Sequence, residues 1–245
     1  MDTTSNYFWQ FQGTQAKNGP KTLILDLDET LVHSWENPQF LESYQIYNDP
    51  TVYRKFHPIG SPQICYSMFL DINKKLTRIW GLNRPYLYEF LSFASGYFEN
   101  IIVWSAGAHP YVNEITRYIF LESGLKPPKM IWSRTNCSSY QGYFHKPILS
   151  LTTELSTRSY QTFTINPKDT LILDDKPFTF MENPQSGLLC PVFHPGKDRS
   201  NKIPTMEDLT DRSDRALLQL KEWLERPEVR NCLDVRTLDK TSIFK

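Results

Sequence analysis

Two stretches of the chain end an apolar run in paired carboxylates. In KTLILDLDET (21–30), Leu23, Ile24, Leu25 and Leu27 surround Asp26 and Asp28; in TLILDD (170–175), Asp174 and Asp175 close the run. Short runs this apolar read as strands buried on both faces. Four carboxylates gathered at strand ends would repel one another and lose hydration unless a cation joined them. A set of carboxylate oxygens suits Mg²⁺, which keeps several waters and commonly meets phosphate. An Asp behind a strand can also simply cap the next turn. Two pairs behind two buried strands favour the metal.

The elements that must position these groups alternate along the chain. Strands are expected at 22–27, 101–105, 130–133, 170–175 and 188–193. Pro85 suits the first turn of a helix that carries Leu87, Phe90, Leu91 and Ala94 on one face. A second helix opens at Pro110, carries Val112, Ile115 and Ile119, and stops at Gly124. A last helix keeps its period from Leu209 through Ala216, Leu217, Leu220, Trp223 and Leu224. Residues 64–82 read as a hairpin turning at Asn73 to Lys75. The polar, proline-containing stretch 35–60 reads as loop. This order predicts an α/β domain with a central parallel sheet, whose ligands bind at the carboxyl ends of the strands. The domain should span 21–240 with 35–82 inserted in it, behind an N-terminal arm, 1–20, bearing Tyr7, Phe8, Trp9 and Phe11.

Composition narrows the function classes. A chain of 245 residues with 40% hydrophobic content can bury a core. Its 27 Lys and Arg balance 27 Asp and Glu, which argues against a nonspecific nucleic-acid binder. No apolar run reaches the length of a membrane span, and the first residues do not resemble a secretion signal. These features predict a soluble intracellular protein, cytoplasmic or nuclear. The four cysteines are scattered, so reduced thiols are expected and a zinc site is not.

The motifs, taken in order, resemble those of the FCP/SCP (NIF-type) phosphatases of the haloacid dehalogenase superfamily. DLDETLVHS resembles the first motif, and GLNRPYLYEFL the family's strand-to-helix junction. Ser105, closing IIVWSAG, fits the second motif, where the family more often has Thr. Lys146 in YFHKPI fits the third and LILDDKP the fourth. Arg134 lies twelve residues before Lys146, as in the small members. The resemblance implies a Rossmann-like sheet flanked by helices, a hairpin insertion after the first motif, and Mg²⁺ as cofactor. It implies Asp26 as nucleophile and Asp28 as general acid and base. Asp26, Asp175 and the Asp28 carbonyl would ligate the metal, with Asp174 behind them. Thr30, Ser105 and Arg134 would contact phosphate, and Lys146 would offset its charge. Tyr111 and Trp35 are candidates for the substrate groove; the histidines beside the motifs receive no role.

Relatives in that superfamily that act on small molecules usually carry a cap domain. Here 53 residues separate Thr30 from Arg84 and 40 separate Ser105 from Lys146. The expected elements consume most of both gaps, so no large cap is predicted. An open cleft suits a substrate that brings its own bulk: a phosphoserine or phosphothreonine protein, RNA polymerase II C-terminal-domain-like peptides among them. A phosphatase of small-molecule or nucleic-acid esters, and a binding module without catalysis, are the alternatives. No nucleic-acid or membrane partner is expected; the oligomeric state is left open.

Overall fold

A computed structural model describes residues 18–72, 74–157, 163–196 and 203–245. Tyr7 to Phe11 of the expected arm lie outside them, as do Asn73 of the expected hairpin turn and residues 197–202. The first apolar run forms β1 (Thr22–Leu25), followed by β2 (Val32–Glu36), α1 (Phe40–Tyr44) and α2 (Pro50–Phe56). Next come β3 (Cys65–Ile72), β4 (Lys75–Asn83), α3 (Leu87–Tyr97) and β5 (Asn100–Trp104). Then α4 (His109–Glu122), β6 (Met130–Trp132), β7 (Ser138–Tyr140) and β8 (Tyr143–His145). The chain continues through α5 (Ile148–Thr157), β9 (Thr170–Asp174) and β10 (Gly187–Leu189). It closes with α6 (Met206–Thr210), α7 (Ala216–Leu224) and α8 (Pro227–Arg230).

The central sheet runs β10-β9-β1-β5-β6 and is parallel at every pairing. β1 lies in the middle, with Leu23 opposite Ile101 on one side and Leu171 on the other. Its side chains alternate between two cores. Leu23 and Leu25 join the cluster of Phe90, Ile115 and Trp223, whereas Ile24 joins Trp104, Trp132, Leu151 and Ile172. Both faces of the strand are therefore covered, which is why its sequence is apolar without a break.

Several boundaries depart from expectation. Residues 35–60 are not wholly loop. α2 begins at Pro50 behind Asp49, whose side chain accepts from Thr51 N and Val52 N, and it buries Phe56 beside Leu41, Ile46 and Trp80. The hairpin gains β2 as a third strand, giving the order β2-β4-β3. Pro85 precedes its helix rather than opening it, because Tyr86 takes a left-handed φ of +65°. The last helix is broken between Thr210 and Ala216: Asp214 accepts from Ala216 N at 3.0 Å and starts α7 afresh. Among the described residues, the insertion amounts to this small sheet and two short helices, and no large cap stands over the central sheet. Among the described residues no helix is long and apolar enough to cross a membrane.

Candidate active site

The peptide ladder runs one residue past β1, with Asp26 N donating to Leu173 O at 3.0 Å. The chain then turns sharply. Leu27 O accepts from Leu31 N at 2.8 Å and Val32 N at 3.0 Å, and Glu29 N donates to Val32 O at 2.8 Å. Glu29 sits at a φ of +57° to make this possible. Leu27 and Leu31 are fully buried beneath the turn. The strand thus ends before Asp28, and the bend lets both aspartates serve the same edge of the sheet.

Across the sheet, β9 delivers Asp174 and Asp175 to that edge. Lys146, just past β8, lies between the two carboxylate pairs with only 2% of its surface exposed. Its ammonium donates to Asp26 Oδ1 at 2.7 Å and to Asp174 Oδ2 at 2.6 Å. Burial pushes the Asp26 carboxyl upward, and the charge of Asp174 adds to it, while Lys146 opposes. Burial alone would lower Lys146, but Asp174 and Asp26 outweigh it and hold the ammonium protonated.

Asp26, Asp174 and Asp175 each offer an oxygen within 4.8 Å of the others. Asp174 has both oxygens engaged, Oδ1 by Lys176 N at 2.9 Å. Asp175 Oδ1 is buried and accepts no hydrogen bond. A buried carboxylate oxygen without a donor is costly, and a cation would satisfy it. The donor set therefore fits a hard divalent ion, with Asp26 and Asp175 better placed than Asp174 to touch it.

Asp28 is met by Tyr111, whose hydroxyl hydrogen-bonds to Asp28 Oδ1. Tyr111 also contacts Ser34, and Ser34 contacts Tyr66 at 2.6 Å. Since the one Tyr111 proton goes to the carboxylate, Ser34 must donate to Tyr111 and Tyr66 to Ser34. Gly81 makes room for this chain: a Cβ there would lie 2.3 Å from the Tyr66 ring. Burial pushes Asp28 up to about 6 against the pull of Tyr111.

Ser105 follows β5 directly and is buried, and its Oγ accepts from Gly107 N at 3.0 Å. Thr30 Oγ1 is buried without a partner. Arg134 is exposed; its Nε donates to Ala106 O at 2.7 Å and its guanidinium lies over Phe144. Asp26, Ala106, Lys146, Tyr143, Phe144 and Phe178 line a cleft of about 180 Å³. A larger cavity, about 490 Å³, lies beside Pro58, Pro62 and Tyr86 and touches none of the four aspartates. Of the two, the smaller is the one lined by Asp26, Asp174 and Lys146. Trp35 packs on Phe40 and Trp80 and does not line it.

Arg84 supports the site from below. It is fully buried, pairs with Asp214 through Nε at 3.0 Å and a terminal nitrogen at 2.9 Å, and donates to Thr30 O at 2.9 Å and Pro191 O at 2.8 Å. Thus one side chain ties the Thr30 turn, the exit of β10 and the start of α7 together. Asp214→Ala leaves that guanidinium unpaired, and should lower the unfolding free energy by about 3 kcal/mol. Denaturant titration measures it; a loss under about 1 kcal/mol would show that water replaces the carboxylate.

The chain is similar in sequence and in fold to known proteins. The chain is 27% identical over 207 residues to a probable C-terminal domain small phosphatase of Dictyostelium discoideum, covering 84% of this chain and 50% of that protein. It is 25% identical over 228 residues to phosphatase PSR1 of Saccharomyces cerevisiae, covering 93% of this chain and 41% of that one. The chain thus spans about half or less of these relatives' length. Its fold is similar to that of Fcp1, an essential RNA polymerase II CTD phosphatase, with a TM-score of 0.62 at 15% identity, over 84% of this chain and 61% of that one. The family model of NLI interacting factor-like phosphatases matches residues 21–236, a span that holds both carboxylate pairs and Lys146, and the chain belongs to that family.

Proposed function

We propose that the chain is a Mg²⁺-dependent phosphoprotein phosphatase that hydrolyses phosphoserine and phosphothreonine through an aspartyl-phosphate. The observation that carries this reading is the buried ammonium of Lys146 between Asp26 and Asp174, with the unsatisfied Asp175 oxygen beside them. Asp26, Asp175 and the Asp28 carbonyl would hold the ion, backed by Asp174. Bound Mg²⁺ supplies neutralisation of phosphoryl charge.

A carboxylate oxygen of Asp26 attacks phosphorus, and the bond from phosphorus to the serine oxygen breaks. Asp28 gives its proton to that oxygen as it leaves. Water then attacks the phosphorus, Asp28 takes the water's proton, and the bond from Asp26 to phosphorus breaks to release phosphate. A carboxyl held up at about 6 is suited to both transfers near neutral pH. Lys146 offsets the charge of nucleophile and phosphoryl group. The unpartnered Thr30 hydroxyl and the Ser105 hydroxyl, whose proton is not used by Gly107 N, can donate to phosphate oxygens. Arg134 keeps its terminal nitrogens for a phosphate at the rim, since only Nε is bound to Ala106 O. The open cleft favours a peptide over a small metabolite, and a serine alkoxide needs the acid that Asp28 supplies.

The test is turnover of phosphoserine peptides with and without Mg²⁺, against sugar phosphates and nucleotides. Full activity in excess EDTA, or better use of any small ester than of the best peptide, contradicts the reading. Metal binding must also displace protons. Burial pushes Asp175 up to about 6, with Lys176 opposing, so this carboxyl is mostly protonated at pH 5 and ionised at pH 8. The rise in Tm on adding Mg²⁺ should therefore be larger at pH 8 than at pH 5. An equal rise at both would place the ion elsewhere.

Tyr111 positions Asp28. When Asp28 holds its proton, it can donate to Tyr111, Tyr111 to Ser34 and Ser34 to Tyr66, so the carboxyl stays hydrogen-bonded to Tyr111 in either protonation state. Tyr111→Phe breaks the chain at the carboxyl and should lower kcat roughly ten- to hundredfold, the worth of a hydrogen bond to a charged group. An unchanged kcat with a raised KM would make Tyr111 a substrate contact instead.

A further inference from the structure

The β7–β8 hairpin stands beside the cleft and shares in neither larger sheet. Its turn residues, Gln141 and Gly142, have φ of +50° and +82°, the pair of positive values that a type I′ turn requires and that glycine adopts without strain. The turn sets Tyr140 opposite Tyr143, and they are 56% and 52% exposed. Two strands of three residues have little stability of their own. They are held by Lys146 N donating to Thr179 O at 3.1 Å and by Tyr143 leaning on Phe178, with ring centroids 4.8 Å apart and planes tilted by 47°.

Gly142, Tyr143, Phe144 and Phe178 line the same cleft as Asp26 and Lys146. One wall of that cleft is therefore aromatic and open to solvent. The proposed phosphoryl chemistry makes no use of it: carboxylates, hydroxyls and cations meet the phosphate. The half-exposed Tyr143 ring and the partly buried Phe178 beside it gain when apolar surface covers them, and a Tyr–Phe pair offers both a face and an edge to a third ring. Among the described residues no cap supplies that cover. A peptide whose phosphoserine reaches Asp26 must lay its neighbouring residues along the walls of the cleft.

We propose that Tyr143 and Phe178 form a specificity platform that takes an aromatic side chain of the substrate peptide, within roughly two residues of the phosphoserine. This rests on the phosphopeptide reading above. The occupant follows from continuity with the phosphate cleft and from the chemistry of the wall, which presents ring faces and no carboxylate. Arg134, over Phe144, and Lys176 serve the anionic part of the same peptide.

The test uses phosphoserine peptides that differ only in one flanking position, Phe or Gly, placed on each side in turn. The wild-type kcat/KM should be about tenfold higher for the better Phe peptide than for the Gly peptide, as one aromatic pair is worth. That ratio should fall to within about twofold in Tyr143→Ala and in Phe178→Leu, and persist in Tyr143→Phe, which keeps the ring. No preference in the wild type, or a preference unchanged in Tyr143→Ala, overturns the platform. Turnover of a small ester with no turnover of any peptide instead sinks the phosphopeptide reading, and the platform with it.

Discussion

Asp26→Asn should abolish turnover, by roughly four powers of ten or more, while the thermal midpoint moves little. The amide has the shape of the carboxyl but no charge with which to attack phosphorus. Loss of a nucleophile removes a covalent route for which no neighbour substitutes. Asp28 cannot take over, since its carboxyl is held by Tyr111. Stability should hold for a separate reason. Asp26 is one of two carboxylates that share the Lys146 ammonium, and burial already disfavours its charge. An amide oxygen can still accept from Lys146, and Asp174 still balances the cation. The assay is phosphate release from a phosphoserine peptide in saturating Mg²⁺, with a thermal melt in parallel. More than a few per cent of wild-type activity in a pure preparation would refute the covalent route.

The parts of the site that can be read in the sequence are those with a strong local signal. An apolar run followed at once by two carboxylates marks a strand exit, and β1 and β9 supply both such exits side by side. The sheet is legible for the same reason: strands covered on both faces cannot hide among polar residues. What escapes the sequence is held by long-range contact. Tyr111 stands 83 residues from Asp28, and Asp214 130 residues from Arg84. Neither has a neighbour along the chain that announces its partner. The break between α6 and α7 is of this kind, because the apolar period runs through it while Asp214 is drawn to Arg84. α1, of five residues, and β7 and β8, of three each, are too short to show a period. α2 could have been found from Asp49–Pro50, a cap and first-turn proline.

Lys146→Met should lower kcat by about 10² to 10³, the usual loss when one preorganised donor to a developing charge is removed. The Met side chain fills the buried stem but leaves the two oxygens that Lys146 binds, Asp26 Oδ1 and Asp174 Oδ2, without their shared donor. The effect on substrate affinity should be smaller, because the ammonium faces the nucleophile rather than the rim. Stability should suffer as well, unlike in Asp26→Asn. Breaking a buried ion pair from one side typically costs about 3–5 kcal/mol, and here two carboxylates lose the same partner. Mg²⁺ should recover part of that loss, since an added cation is what the stranded carboxylates lack. The two aspartate neighbours therefore make a joint prediction: in EDTA the Lys146→Met melt falls well below that of wild type, and Mg²⁺ raises it by more than it raises wild type. A variant that melts like wild type in EDTA would mean that the carboxylates are balanced by something other than Lys146, and the charge arrangement proposed for catalysis would have to be redrawn.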